Sequence, residues 1–484
     1  MSKHLILRLL PVVLLAGAPG CVPPSPPSAP SASEARAPAD GSAAARSAEP
    51  GEAKPSLLTS ASAVALPDSA AGRQLAAWLE AFNGRDRPAL IAYHERHFPY
   101  QVASEDVSNI EREHGLSQAT GGFDVRRLEQ SADDHVEVVL QERHRPQHAR
   151  AYLQVSPEPP HAVTRFRIGP IPTPLDLLSA EERKARTIDA ELRHTAIEAI
   201  ARQLQAHYVV AETAARVSTV LRKKQARGDY DARTDAIDFA DALTRDLRRL
   251  ARDKHLGLRF GPLPPEPSVD GPAPPWLANV GYGFGPVERL EGNVAHLVIN
   301  GFPPLFEVER QAIAEHMSAI ADAAAVIIDL RGNGGGFPPT VTLMASYFFD
   351  EQPVQLNRIY RRDTNHTNEQ WSERVVPGQR FGVKKPVYVL TSPQTFSGGE
   401  GFAYALQAQG RALVIGQDTA GGAHPTQPYP VAGGFVLMVP WGESISPITG
   451  TNWEGIGVVP DVATPADEAL ETAHRLALEQ LGRR

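Results

Sequence analysis

Val387-Tyr388-Val389-Leu390-Thr391-Ser392-Pro393-Gln394-Thr395-Phe396-Ser397-Gly398-Gly399-Glu400 starts apolar, passes through a polar turn and enters a helical pattern that Gly410 ends. The apolar run predicts a strand, and Pro393 marks its end. A strand, a loop and a helix start therefore meet at Ser397. A serine placed there sits beside unpaired backbone N–H groups, and the helix dipole favours negative charge at that point. On this segment alone, Ser397 reads equally well as a helix cap or as a nucleophile.

Working outward, residues 325–330 form a second strand, almost continuously apolar up to Asp329, as expected of a strand covered on both faces. Residues 294–299, 387–390, 413–415 and 435–439 also read as strands. Helical patterns lie between them at 307–321 and 399–409, so the chain from Val280 onward is predicted to be α/β. The second strand runs into Asp329-Leu330-Arg331-Gly332-Asn333-Gly334-Gly335-Gly336. Such a loop exposes backbone N–H groups that can hold an anion. Residue 337 is Phe where a dinucleotide fingerprint needs glycine, and there is no Gly-Lys-Ser/Thr phosphate loop. Stabilising a transient oxyanion needs the same donors and fits better.

A nucleophilic serine needs a base, usually a histidine oriented by a carboxylate. His255 lies in Asp253-Lys254-His255-Leu256-Gly257-Leu258-Arg259-Phe260, where a helical region turns into the α/β part. His424 lies in Thr419-Ala420-Gly421-Gly422-Ala423-His424-Pro425, another glycine turn after a strand. Glu454, in Asn452-Trp453-Glu454-Gly455-Ile456-Gly457-Val458-Val459-Pro460-Asp461, is the remaining carboxylate candidate.

In this order, the motifs Asp-Leu-Arg-Gly-Asn-Gly-Gly-Gly, Thr-Phe-Ser-Gly-Gly-Glu, Asp-Thr-Ala-Gly-Gly-Ala-His and Gly-Val-Val-Pro-Asp resemble the C-terminal processing peptidase and tricorn family of serine peptidases. The closer match is the branch related to interphotoreceptor retinoid-binding protein. The resemblance covers about residues 174–478. It implies a helical bundle leading into a crotonase-like, ClpP-like α/β core. By position it makes Ser397 the nucleophile. The N–H of Gly398 and one from Gly334 or Gly335 would form the oxyanion hole. Processing peptidases carry a lysine base near residue 422, but here that residue is Gly422. The tricorn-like branch uses a histidine upstream of the core and a late glutamate, which His255 and Glu454 match; His424 is the rival base. Gly398 replaces the Asp that follows the serine in tricorn, and residues 260–292 are too few for a PDZ insertion. The implied activity is serine endopeptidase on a peptide or protein substrate, through an acyl-enzyme, with no metal or cofactor required. The alternative is a non-catalytic binder of apolar ligands on the same fold.

The rest of the chain bounds this reading. Its net charge of −8 gives no electrostatic reason to expect nucleic acid as partner. The single cysteine, Cys21, excludes a disulfide framework and a Cys-based zinc site. Lys3 and Arg8 precede a short apolar stretch that ends in small residues before Cys21, which reads as a secretory signal. With the cysteine directly after Gly20, residues 1–21 resemble a bacterial lipoprotein signal and Cys21 a lipidation site. The expected location is exported, lipid-anchored in a bacterial cell envelope (periplasm or outer membrane), with the lipid as the only membrane contact. Residues 22–66 hold eight Pro, thirteen Ala and nine Ser and no aromatic residue, the composition of a disordered tether. Residues 67–173 read as helices followed by strands, a small α+β domain with a faint likeness to nuclear-transport-factor-like (NTF2-like) domains. Residues 174–260 read as the helical bundle and 261–484 as the peptidase core. In His94-Glu95-Arg96-His97 the histidines stand three apart, short of the zinc HExxH spacing, and are expected to be ordinary surface or partly buried residues.

Overall fold

The computed structural model describes residues 64–98, 108–264, 269, 271–274 and 276–482. The leader with Cys21, and the tether up to residue 63, lie outside the described residues. The chain divides into two compact units, with the division between Ile171 and Pro172. No helix among the described residues is long and apolar enough to cross a membrane.

In the first unit, helices α1 (Ala70–Gly84), α2 (Arg87–His97) and α3 (Ser108–Thr120) precede strands β1 (Phe123–Ser131), β2 (His135–Glu142), β3 (His148–Val155) and β4 (Val163–Ile171). The strands form an antiparallel meander in sequence order. Ser69 caps α1 by accepting from the Gly72 N–H, and Asp86 caps α2 by accepting from Ala89. Trp78 and Phe82 on α1 are fully buried among Val138, Leu140 and Phe166 of the sheet. Of the α2 histidines, His97 is partly buried as expected and His94 is not. His94 is fully buried, with its Nε2 3.2 Å from Glu113, a residue on α3 that also accepts from the Trp78 indole N–H at 3.0 Å. Burial here is affordable for polar groups because they pair with one another.

The second unit opens with α4 (Ala180–Arg186), α5 (Ala190–His207), α6 (Ala211–Ala226) and α7 (Ala236–Ala251), followed by β5 (Gly257–Phe260). Phe239, Leu243 and Leu247 recur at helical spacing on α7 and are fully buried. Their partners are not only other helices. Phe435, Leu437 and Val439 of a later strand complete the same core, so the helices bury their apolar faces on a sheet.

Then come α8 (Trp276–Asn279), β6 (Phe284–Leu290), β7 (Val294–Ile299), α9 (Glu307–Ile320), β8 (Ala325–Asp329), α10 (Pro338–Ser346), β9 (Gln355–Arg361), β10 (His366–Trp371), β11 (Val387–Thr391) and α11 (Gly398–Ala408). The chain continues through β12 (Leu413–Gly416), β13 (Thr426–Val431), β14 (Phe435–Pro440), β15 (Gly442–Ile445), β16 (Val462–Ala463) and α12 (Ala469–Gly482). The main sheet has the order β16-β12-β11-β8-β7-β6, parallel from β16 to β7 and antiparallel only at β6. Every residue of β8 and β11 is buried, as continuous apolar runs require. Two smaller sheets, β13-β14-β5 and β10-β9-β15, complete the unit.

Because β8 and β11 are parallel neighbours, the glycine loop after β8 and the serine loop after β11 emerge side by side at one sheet edge. Ligand sites of open α/β sheets form at this carboxyl edge.

Candidate active site

Ser397 is the residue before α11, with φ 51° and ψ −118°. A non-glycine residue at positive φ is strained and persists only where its surroundings hold it. Those restraints are visible. The Phe396 N–H donates to the Asn333 carbonyl at 2.9 Å, and the Ser397 N–H donates to Glu400 Oε2 at 2.7 Å. Ser397 and Glu400 stand at capping-box spacing, with the Glu400 carboxylate on the Ser397 N–H.

Glu400 does more than serve the cap. Fully buried, it accepts from the Thr419 hydroxyl at 2.5 Å and from the Gly421 and Gly422 N–H groups at 2.6 and 2.9 Å. One carboxylate thus ties the serine turn to the glycine turn that precedes His424. Burial pushes its pKa up, against the pull of those donors.

The glycine loop after β8 packs directly beneath. A Cβ on Gly335, whose φ is +101°, would stand 2.7 Å from Ser397 Cβ and 2.8 Å from the Gly398 nitrogen. Only glycine allows that approach. Asn333 is fully buried; its side chain donates to the Ile299 carbonyl at 2.9 Å and accepts from the Gly335 N–H at 2.8 Å. Gly335 therefore spends its N–H on Asn333.

His255 follows α7, whose last turn closes on Arg252 in the left-handed region. The ring is 5% exposed and stacks on Phe396, with centroids 4.5 Å apart and planes at 26°. Its Nδ1 is buried without a hydrogen-bond partner. Burial lowers its pKa to about 4, although the Asp253 charge pulls the other way, so the imidazole is neutral at pH 7.

Asp253, 2% exposed, is the hub behind this ring. Its Oδ1 accepts the His255 N–H at 2.9 Å; its Oδ2 accepts the Tyr208 hydroxyl at 3.1 Å and lies 2.8 Å from His424 Nδ1. Burial alone would lower the His424 pKa, but the hydrogen bond and charge of Asp253 outweigh it and the net shift is upward. Burial works likewise against the Asp253 carboxylate, and His424 reverses it to a net downward shift. Each partner thus favours the charged form of the other. Lys254, between them in sequence, donates to the Ala420 carbonyl.

Glu454 Oε2 accepts the Ala423 N–H at 2.5 Å and the His424 N–H at 3.3 Å, and lies 3.6 Å from His424 Nδ1. Its Oε1 is buried without a partner. Burial, then the Asp253 charge, raises its pKa. Ligand atoms of Asp253, His255 and Glu454 all lie within 4.8 Å of one another. Glu454 makes no hydrogen bond to the His255 ring; it reaches the histidine's surroundings through the 423–424 backbone.

One pocket collects these groups. Ser397, His255, His424, Gly334, Gly398 and Gly422 line it, with Val341, Leu356, Ile359 and Trp453 on its apolar side. The structure therefore gathers Ser397, His255, His424, Glu454 and the two glycine turns in one place. Sequence reasoning passed over Asp253 and Glu400, although both lie inside motifs it singled out. The available signals were the i, i+2 spacing of Asp253 to His255 and the capping-box spacing of Glu400 to Ser397.

Parts of this chain are similar to known proteins. The model for peptidase family S41 matches residues 293–464, and the model for the N-terminal domain of peptidase S41 in eukaryotic IRBP matches residues 187–278. The tail-specific protease of Haemophilus influenzae is 31% identical over 100 residues, 20% of this chain and 13% of that protein. The chain thus matches well under two thirds of that relative's length. Among solved structures, the photosystem II D1 C-terminal processing protease is 16% identical with a TM-score of 0.39, covering 59% of this chain and 97% of that one. The tricorn protease is 13% identical with a TM-score of 0.43, covering 76% of this chain and 44% of that one. The two family models lie one after the other along the second unit and take in the serine loop, both glycine turns, both candidate histidines and Glu454, so the chain belongs to peptidase family S41.

Proposed function

We propose that this protein is a serine endopeptidase whose nucleophile is Ser397 and whose base is His255. The observation that carries the reading is the convergence of Ser397, held at positive φ, with a buried neutral imidazole on one pocket. A neutral ring has a lone pair ready for a proton at neutral pH. His424, whose Nδ1 lies 2.8 Å from Asp253, is oriented by a carboxylate as a base usually is and is the rival for the role.

In this mechanism the Ser397 hydroxyl attacks the peptide carbonyl carbon as His255 takes its proton. The carbonyl oxygen becomes an oxyanion, facing the N–H of Gly398 and that of Gly334 in the neighbouring loop. Collapse breaks the C–N bond, and His255 returns the proton to the leaving amine, leaving an acyl-enzyme on Ser397. Water then attacks the acyl carbon as the same histidine takes its proton, and collapse breaks the ester C–O bond as that proton returns to Ser397, releasing the acid. Asp253 fixes the His255 backbone, while Glu454 fixes the 423–424 turn. The protein substrate class follows from the family. The export and lipid-anchor reading of residues 1–21 belongs to the same proposal and rests on the leader composition and Cys21.

Digestion of an unfolded protein followed by mass spectrometry tests the activity. New termini that appear with the parent protein and vanish with Ser397→Ala support it. Cleavage that persists in Ser397→Ala overturns it. Tight binding of apolar fluorophores with no cleavage would favour the binder.

A further inference from the structure

We infer that Asp253, His255 and Glu454 form a site for a divalent transition-metal ion of the zinc class, and that a cation there switches the peptidase off. The inference rests on the reading of His255 as base for its inhibitory half only.

Two segments far apart in sequence, 253–255 and the turn at Glu454, bring one nitrogen and two carboxylates together, with ligand atoms mutually within 4.8 Å. A mixed set of imidazole and carboxylate donors suits Zn²⁺ and its close relatives. Two donor atoms in this set are spare. His255, 5% exposed, has an unpartnered Nδ1, and Glu454 has an unpartnered buried Oε1. Buried polar atoms without partners are uncommon and call for an explanation.

The remaining atoms of the same residues are already held from outside. Glu454 Oε2 receives the Ala423 and His424 N–H groups. Asp253 receives the Tyr208 hydroxyl and the His255 N–H, and pairs with His424. Outer partners that orient the ligands, here leaving His255 Nδ1 and Glu454 Oε1 free, are the usual second layer of a metal centre. Three protein ligands leave a fourth position for water. A cation at this site ties up the His255 ring electronically and sterically. The ring then no longer accepts the serine proton, so the bound state is inactive.

Titration with Co²⁺, whose visible absorption reports inner-sphere nitrogen and oxygen ligands, tests binding without any need for activity. The proposal expects one Co²⁺ per chain, displaced by Zn²⁺. Binding should persist in Ser397→Ala and weaken at least tenfold in both Glu454→Gln and His255→Ala, each checked for an intact fold by circular dichroism. Saturating Zn²⁺ should slow fluorophosphonate labelling of the parent at least tenfold, with EDTA restoring it. Absence of a Co²⁺ spectrum in the parent, or a spectrum unchanged in both folded variants, overturns the site. Zn²⁺ that binds but leaves labelling untouched overturns the inhibitory role. A parent protein that never labels would count against the peptidase reading and its inhibitory corollary, while the Co²⁺ titration would still decide the site.

Discussion

His255 occupies the space into which a side chain on residue 422 would grow. A Cβ built on Gly422 would stand 2.7 Å from His255 Cε1 and 2.2 Å from Phe396 Cε2. The resemblance to processing peptidases places a lysine base at this position. In this chain the histidine ring, stacked on Phe396, fills it, and the glycine is what makes room. A lysine at 422 and the present His255 are mutually exclusive arrangements.

Gly422→Ala should therefore displace the His255–Phe396 stack. Fluorophosphonate labelling should fall at least tenfold, because overpacking costs about 1–3 kcal/mol and is relieved by moving the base. Intact-protein mass spectrometry over a labelling time course reads this directly. Labelling at the parent rate would mean the ring is not needed where it stands.

Glu400→Ala should destabilise the second unit by about 3 kcal/mol or more, since the N–H groups of Ser397, Gly421 and Gly422 lose their acceptor together. Denaturant unfolding measures the loss. A change under about 1 kcal/mol would show that other acceptors replace the carboxylate.

His424→Ala leaves the Asp253 carboxylate buried without its histidine partner, and breaking a buried pair costs about 3 kcal/mol or more. Adding Asp253→Asn should recover part of that loss, because the uncompensated charge is gone. A double-mutant cycle measures the coupling. Additive losses would contradict an ion pair.

Glu309 on α9 is fully buried with neither carboxylate oxygen paired, and burial raises its pKa to about 8. The folded state then keeps a proton that the unfolded state releases above about pH 4.5. Its contribution is fully present below that value and is lost as pH rises through about 8, with a slope approaching 1.4 kcal/mol per pH unit, to order of magnitude. Glu309→Gln should raise the melting temperature more at pH 8 than at pH 5. An equal shift at both values would show that the carboxyl already ionises in the fold.

Much of this architecture is legible in the sequence because burial on both faces demands continuous apolar runs. Residues 325–329 and 387–390 announce the central parallel strands, and the glycine turns after them announce the site edge. β10, His366-Thr367-Asn368-Glu369-Gln370-Trp371, is an exposed edge strand held by its pairing to β9, so it carries no apolar alternation to read. β5 looked like the end of a helical bundle because its partner β14 lies far along the chain. In the site, Ser397 and His255 carry motif signals. Asp253 and Glu400 take their roles from hydrogen bonds between distant segments, as in the Glu400 contacts with Thr419, Gly421 and Gly422.

The most direct test of the account is fluorophosphonate labelling of residues 64–484 beside Ser397→Ala, His255→Ala and His424→Ala, each compared at a temperature where it is folded. The account predicts labelling of the parent on Ser397, none in Ser397→Ala, loss in His255→Ala and retention in His424→Ala. Labelling that survives His255→Ala but disappears from folded His424→Ala would contradict it and transfer the base to the Asp253–His424 pair.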